Sequence, residues 1–209
     1  MPFYPDRIPD WISGLWSGLF WHGDRRLSRV YLTFDDGPTP GVTDFVLEQL
    51  TTYDFKATFF CIGDCVARNK ALFHKIESDG HKLGNHTYHH LNAWRSSTTD
   101  YLQDVDKAAR LIDSKLFRPP YGKINPALAK QLMHKGYTVV MWDVLSGDFD
   151  QSRSPVSILK NLKKNTQNGS VIVFHDSLKS EVVLKQVLPL YLRFLKDQEY
   201  DAVAIEPGV

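Results

Sequence analysis

Thr33-Phe34-Asp35-Asp36-Gly37-Pro38 is the stretch from which both the architecture and the chemistry of this chain can be inferred. It follows Val30-Tyr31-Leu32, a β-branched and aromatic run that predicts a buried strand, and Gly37-Pro38 predicts the end of that strand. Two carboxylates therefore lie at the carboxyl end of a strand, where open-sheet and barrel α/β folds place their chemistry. Adjacent anions repel each other, so a metal ion or an arginine is expected beside them. Asp-Asp-Gly is also common in ordinary turns, so the stretch alone leaves turn and site open.

Apolar strands and amphipathic helices alternate about seven times along the chain, a pattern that predicts a parallel sheet wrapped by helices. Strands are predicted at 30–32, 57–62, 82–84, 116–118, 137–142, 170–174 and 202–205, and helices at 43–53, 65–78, 99–112, 127–135, after Ser154-Pro155 and at 181–196. Thr43 is expected to cap the first of these helices, and Pro189 to bend or restart the last. We predict a distorted, incomplete (β/α) barrel with about seven parallel strands. A doubly wound open sheet has the same local pattern, but the sequence lacks the Gly-rich phosphate loop that would favour it.

The length of 209 residues suits one domain of ordinary α/β size. Residues 1–29 form an aromatic-rich segment that we expect to pack on the barrel, with residues 30–209 as the main domain. The run from Trp11 to Trp21 is too short for a membrane span, which needs about 20 apolar residues. It lacks the lysine-rich face of an interfacial helix, so we expect it to plug the bottom of the barrel rather than to lie on a membrane.

The charge balance excludes some classes of partner. The formal net charge is +1, from 25 basic and 24 acidic residues without a long run of one sign, which argues against a nucleic acid or an anionic membrane as partner. The N-terminus at residues 1–6 lacks the basic and apolar regions of a signal peptide. A cytoplasmic location is therefore the default expectation, and export by another route stays open. The sequence does not fix the oligomeric state.

Polar residues collect directly after the predicted strands, and three of them form a candidate metal site. Asp36, His86 and His90 supply one carboxylate and two imidazoles, a ligand set that leaves coordination positions open for water and substrate, as catalytic zinc sites do. The spacing of four between the histidines places both rings on one helical face or on one side of a tight loop. Two histidines in a polar loop are often only surface residues, but the Asp-Asp pair at another strand end favours a site.

Four further residues complete a hydrolytic set. Asp35 is adjacent to the candidate ligand Asp36 and is placed to act as a base on a metal-bound water, while Arg118 can keep Asp35 ionised and oriented. The backbone N–H of Tyr121, in the stiff Arg-Pro-Pro-Tyr-Gly turn, is placed to meet a developing oxyanion. His175 is then available to protonate a leaving amine. The set predicts hydrolysis of an amide or ester carbonyl with a metal as Lewis acid.

Five ordered motifs resemble those of the polysaccharide deacetylases, carbohydrate esterase family four, also known as the NodB-homology domain. They are Thr-Phe-Asp-Asp-Gly-Pro at 33–38, His-Thr-x-x-His at 86–90, Arg-Pro-Pro-Tyr-Gly at 118–122, Trp142-Asp143 with Asp148, and Val-Phe-His at 173–175. The resemblance spans about Val30 to Ile205, so residues 30–209 are expected to be the catalytic domain.

The resemblance implies a fold, a reaction and roles for residues. It implies a distorted β/α barrel that uses a divalent metal, zinc first and cobalt second, to remove acetyl groups from N-acetylated or O-acetylated sugars of a polymer such as peptidoglycan or chitin-type oligomers. By position, the implied roles are Asp35 as general base, Asp36, His86 and His90 as metal ligands, Arg118 as the arginine that orients the base, Tyr121 as oxyanion donor, His175 as general acid, and Tyr121, Trp142, Phe149 and Val173 as substrate contacts.

The sequence departs from the family pattern near the acid histidine. Leu145 occupies a position where many members have an aspartate that tunes this histidine, and Phe149 replaces a common tryptophan. His175 is therefore expected to lack its usual carboxylate, unless Asp143, Asp148 or Asp176 substitutes.

Two other classes of function stay open at this point. One is a non-catalytic carbohydrate-binding module on the same fold, because a fold alone does not imply an activity. The other is a metal-independent hydrolase of small cyclic amides. The presence of base, ligands and acid together argues against both.

Overall fold

The computed structural model describes residues 5–16 and 18–208. Strands and helices alternate along the chain, as the sequence predicts. The strands are β1 (Arg29–Asp35), β2 (Ala57–Cys61), β3 (Lys82–Asn85), β4 (Leu116–Phe117), β5 (Thr138–Val139), β6 (Val144–Leu145), β7 (Val171–His175) and β8 (Asp201–Ala202). The helices are α1 (Asp10–Leu15), α2 (Val42–Thr52), α3 (Gly63–Arg68), α4 (Lys70–Ser78), α5 (Thr98–Ala109), α6 (Pro126–His134), α7 (Pro155–Asn165) and α8 (Glu181–Asp197).

The strands form one parallel sheet in the order β5-β4-β3-β2-β1-β7-β6, and the short β8 pairs with the start of β1. The seven strands of this order curl into an incomplete barrel, which confirms the predicted fold. The barrel is open between its edge strands β5 and β6, which follow each other in the chain but do not pair with each other in the described part of the sheet.

The alternation of side chains along β1 explains why the sheet is covered on both faces. Val30, Leu32 and Phe34 belong to the large apolar cluster that the outer helices share with the sheet. Tyr31 packs instead with a smaller cluster that includes Phe60, and Thr33 bonds the buried Arg118 beside it. Because successive residues of a strand point to opposite faces, one sequence builds both the helix-covered layer and the barrel interior.

The N-terminal segment lies along the open side of the barrel. The backbone N–H of Ile8 donates to the carbonyl of Asp143, and that of Phe20 donates to the carbonyl of Val139. The Phe20 ring contacts the interior cluster edge-on to Tyr31. Residues 1–4 and 17 of the predicted segment 1–29 lie outside the described residues, as does Val209, and the division into two segments stays a prediction. In the described chain, each helix is too short or too polar to cross a membrane.

Three local predictions are wrong. Thr43 lies inside α2, which begins after Gly41, and its hydroxyl bonds the buried Asp176 instead of capping the helix. The helix predicted at 65–78 breaks at Asn69, whose side-chain amide donates to the carbonyls of Pro38 and Cys65 and so competes with the helical ladder. Helix α8 continues through Pro189 without a restart, and a bend at Pro189 stays a prediction. The predicted strand 137–142 is reduced to β5, and β6 was not foreseen.

Candidate active site

The residues predicted to act together converge at the carboxyl edge of the sheet. Asp35 ends β1 and lies beside His175, which ends the neighbouring strand β7. His86 follows β3 directly, and Arg118 follows β4 directly. Parallel strands bring their carboxyl ends to one edge, so four separate stretches of sequence contribute to one site.

Asp36, His86 and His90 form a cluster whose ligand atoms all lie within 4.8 Å of one another. The Nε2 atoms of His86 and His90 are 3.7 and 3.3 Å from Asp36 Oδ1. Ligands held at about 2.0–2.2 Å around a tetrahedral zinc are about 3.3 Å apart, so these separations fit such an ion. Asp36 Oδ1 is buried and has no hydrogen-bond partner among the described residues.

The Nδ1 atoms of His86 and His90 contact neighbouring oxygen atoms, and these contacts leave the Nε2 atoms facing Asp36. His86 Nδ1 donates to the carbonyl of Arg118 at 2.8 Å, which leaves Nε2 with its lone pair toward Asp36. His90 Nδ1 is 3.1 Å from the hydroxyl of Tyr121. Burial lowers the pKa of His86 to about 3, and His90 adds to that effect. Burial also lowers the pKa of His90. Both rings are therefore neutral near pH 7, as a metal ligand must be.

The turn that carries Asp36 is fixed by a buried carboxylate. Asp36 has a φ of 82°, an uncommon conformation for a residue with a side chain. Asp176 accepts a hydrogen bond from the N–H of Gly37 at 3.0 Å and another from the Thr43 hydroxyl. A Cβ at Gly37 would lie 2.0 Å from the Asp176 carboxylate, so only glycine fits there. Burial raises the pKa of Asp176 to about 7, against the opposing hydrogen bond from Thr43.

Asp35 is bound by Arg118, as expected. Arg118 Nη1 donates to Asp35 Oδ1 at 2.8 Å and to Thr33 Oγ1 at 2.7 Å, and both members of the pair are buried. The remaining guanidinium nitrogens donate to the carbonyls of Val140 and Met141. Arg118 thus holds the Asp35 carboxylate in a fixed orientation at the end of β1.

Of the three aspartates that could replace the usual carboxylate partner of His175, Asp148 is the one that contacts it. His175 Nδ1 lies 2.8 Å from Asp148 Oδ1, and the backbone N–H of His175 donates to Oδ2. Burial lowers the pKa of His175, but the charge and hydrogen bond of Asp148 outweigh this effect and, with Asp36 and Asp35, raise it to about 9. Asp143 is bonded to Arg25, and Asp176 to Gly37, so neither substitutes.

The four predicted substrate contacts lie around this centre at different depths. Tyr121 is 59% exposed and has a φ of 60° in the turn beside His90. Trp142 packs under that turn, where a Cβ on Gly122 would lie 2.4 Å from its ring. The Phe149 ring is edge-on to His175 at 5.1 Å between centroids, and Val173 is buried in β7. Their contact with substrate stays a prediction.

An open cavity of about 640 Å³ adjoins the ligand cluster. Asp36 and His90 line one side of it, and the other walls are formed by the turn 38–40, by α3 and by residues 177–179. Lys179 contributes a cation, and Leu178, which is 71% exposed, contributes an apolar surface. The cavity is large enough for a sugar unit to approach the cluster from solvent.

Sequence reasoning missed three side chains that support the site. His89 lies in the loop between the two histidine ligands, Asp104 bonds to that loop, and Asp176 supports the turn at Gly37. Asp104 carried a detectable signal, because it occupies the apolar face of α5 between Tyr101 and Ala108. A carboxylate on the buried face of an amphipathic helix needs a partner.

Comparisons with known proteins agree with this geometry. The family profile described as polysaccharide deacetylase matches residues 22–140. A peptidoglycan-N-acetylglucosamine deacetylase of Bacillus cereus is 34% identical in an alignment of 191 residues that covers 88% of this chain and 90% of that protein. A chitooligosaccharide deacetylase of Azorhizobium caulinodans is 30% identical, over 71% of this chain and 74% of that protein. Other curated relatives are longer, and the chain spans as little as 38% of their length.

The fold is shared with solved structures. The crystal structure of a peptidoglycan N-acetylglucosamine deacetylase in complex with an N-oxidanyl-benzamide superimposes with a TM-score of 0.81, at 28% identity and over 94% of each chain.

Proposed function

Because this chain belongs to the polysaccharide deacetylase family, we propose that it hydrolyses the acetyl amide of N-acetylglucosamine-type residues in peptidoglycan, at a divalent metal held by Asp36, His86 and His90. The chain is a hydrolase that removes acetyl groups from acetylated sugars. The polymer, the metal and the role of each residue are the proposed parts. Peptidoglycan is favoured over chitin-type oligomers because the Bacillus cereus relative is more similar and matches over more of both chains.

The ligand set supports zinc as the metal, with cobalt as the alternative. One carboxylate and two neutral imidazoles suit zinc and cobalt better than calcium or magnesium, which prefer oxygen ligands. When bound, the metal polarises the acetyl carbonyl and lowers the pKa of water. Asp36, His86 and His90 would hold this ion.

Two acid–base pairs next to the ligand cluster carry the proposal. Asp35, oriented by the hydrogen bond from Arg118, takes a proton from the attacking water as the new C–O bond forms. His175, kept protonated by Asp148, gives a proton to the sugar nitrogen as the C–N bond breaks. The products are acetate and a free amine. Asp35 and His175 are register partners on adjacent strands, so both reach the same reacting group.

The backbone N–H of Tyr121 completes the proposal as a donor to the oxyanion. The turn Pro120–Gly122 holds this residue at a φ of 60°, a conformation that persists only where the surrounding structure enforces it. Its hydroxyl lies beside His90, so the turn is fixed relative to the ligand cluster.

Acetate release from three substrates tests the proposal. Peptidoglycan fragments, chitooligosaccharides and acetylated xylan are incubated with wild type and with Asp35→Asn, each with and without added zinc. We expect metal-dependent release from peptidoglycan fragments, slower release from the others, and little from Asp35→Asn. Release that survives chelation would support the metal-independent alternative, and sugar binding without release would support the non-catalytic one.

A further inference from the structure

The loop at residues 86–91, here called the ligand loop, carries both histidine ligands in a strained backbone. Thr87 and His90 have φ values of 62° and 56°, a region that residues with side chains rarely adopt. Such a conformation persists only where neighbouring groups hold it. The separation of His86 from His90 therefore depends on the contacts of the loop, not on its own preference.

Asp104, on α5, supplies acceptors to the centre of the ligand loop. Its Oδ2 accepts hydrogen bonds from the backbone N–H groups of Tyr88 and His89 at 2.8 and 2.9 Å. Its Oδ1 lies 2.5 Å from Nδ1 of His89. Asp104 is only 6% exposed, so these bonds are shielded from water.

The opposite side of the ligand loop is fixed by backbone groups. The N–H groups of Gly63 and Asp64, at the start of α3, donate to the carbonyls of Thr87 and Tyr88. The carbonyls of Thr87 and Tyr88 thus bind backbone N–H groups, which do not depend on the identity of a side chain. The N–H groups of Tyr88 and His89, in contrast, both depend on the Asp104 carboxylate. His89 itself is half exposed and is not part of the ligand cluster.

We propose that Asp104 is a positioning residue of the metal centre, which holds the ligand loop so that His86 and His90 face Asp36. The inference rests on the proposed function, because it concerns the same metal. In this proposal His89 is a hydrogen-bond partner of Asp104 and not a metal ligand. Groups that orient metal ligands typically change metal affinity about 10–100-fold when they are removed.

A pair of substitutions separates the acceptor from the charge. Asp104→Leu removes the acceptor and leaves two buried N–H groups unsatisfied, while Asp104→Asn keeps a carbonyl oxygen that can accept both. The dissociation constant for zinc is measured by competition with a chromophoric chelator, on metal-stripped protein. We expect an increase of about 10–100-fold for Asp104→Leu and a clearly smaller increase for Asp104→Asn.

Asp106→Leu is the matched control on the same helix. Asp106 is exposed and paired with Lys135, so its substitution should leave zinc affinity within about twofold of wild type. If Asp104→Leu does not fold, Asp104→Ala removes the same acceptor without added apolar bulk. The melting temperature of each metal-free variant is recorded beside its affinity.

Equal zinc affinity in wild type and folded Asp104→Leu, or an equal loss in Asp106→Leu, would overturn the positioning role. A lower melting temperature with unchanged affinity would show a merely structural role and overturn it as well. Absence of zinc binding in wild type would instead overturn the metal centre, and with it the proposed function, so the two failures are distinguishable.

Discussion

At the scale of single residues, the buried pair of Arg118 and Asp35 links the chemistry of the site to the stability of the barrel. Arg118 is fully buried and donates to Asp35, to Thr33 and to two backbone carbonyls. Removal of one partner from such a pair typically costs about 3–5 kcal/mol, because the other charge stays buried without compensation. A substitution that tests Asp35 as the base must therefore keep an acceptor for Arg118, because its loss would also destabilise the fold.

Asp35→Asn is the substitution that separates catalysis from metal binding. The amide can still accept from Arg118 but cannot take a proton, so deacetylation should fall about 10²–10⁴-fold, the usual contribution of a general base. Bound metal, measured by elemental analysis, should be unchanged. Asp36→Asn should do the reverse and lose metal. Loss of metal in Asp35→Asn would show that the two aspartates have been assigned wrongly.

The pH dependence should report His175. In the proposed mechanism His175 acts in its protonated form, so the rate should fall as the pH rises through its pKa. Asp148 raises that pKa against burial to about 9, while a bound divalent cation favours loss of the proton. The alkaline limb should therefore lie between the ordinary histidine value of about 6.5 and about 9.

Asp148→Asn removes the charge that holds the proton on His175, so the alkaline limb of the rate profile should move to lower pH. Amide substrates should suffer more than aryl acetate esters, because a phenolate leaves without protonation and an amine does not. If the alkaline limb of the rate profile lies at the same pH in Asp148→Asn as in wild type, His175 is not the group whose titration causes it.

At the scale of elements, the N-terminal segment makes contacts that the barrel cannot make for itself. The edge strands β5 and β6 do not pair with each other, and residues 6–8 and 20 supply backbone bonds to the chain between and beside them. Arg25 adds side-chain bonds to Asp143, at 2.8 Å, and to the carbonyl of Asn168. The segment thus ties the open side of the barrel to the loop before β7.

Arg25→Met tests the contribution of this contact to stability. It leaves the buried Asp143 without its cation and should lower the free energy of unfolding by about 2 kcal/mol, less than for a fully buried pair because Arg25 is a quarter exposed. That change corresponds to roughly 4–8 °C in melting temperature for a chain of this size. Arg26→Met, next in sequence and exposed, should have no effect. Equal melting temperatures for both variants would contradict the account.

The strands and most helices were predictable because their signals are local. The apolar run before Asp35 and the caps Ser97, Asn125 and Ser154 each specify an element from a few neighbouring residues. The convergence of the candidate site residues was predictable because most of them directly follow strands. The break in the helix at Asn69 was not predictable, because it depends on a hydrogen bond from the Asn69 side chain to the carbonyl of Pro38, which is distant in sequence.

The supporting carboxylates were harder to predict for the same reason. Asp148 meets His175 from 27 positions away, and Asp104 meets Tyr88 from 16 positions away. The local sequence does not predict which of Asp143, Asp148 and Asp176 contacts the His175 ring. That contact depends on the conformation of the loop that follows β6.

In the molecule as a whole, the apolar residues that stabilise the barrel and the polar residues of the candidate site lie at different levels along the barrel axis. The interior below the site is apolar, with Phe60, Val140 and Val171 in one cluster, while its carboxyl edge carries the charged residues. The outer helices cover the other face of the sheet. Catalytic groups on the ends of short, well-packed strands stay in place, so a metal ion and a sugar can meet a prearranged set of partners.

The dependence of deacetylation on one metal ion is measured by titrating the metal-stripped protein with zinc, with acetate release from N-acetylated peptidoglycan fragments as the readout. Wild type should be inactive without metal, and its rate should rise with added zinc and level off at about one ion per chain, as a single catalytic site requires. His90→Ala should show no such plateau at that ratio. Full activity before any zinc is added, or the same plateau and rate in His90→Ala, would contradict a metal-dependent deacetylase centred on Asp36, His86 and His90.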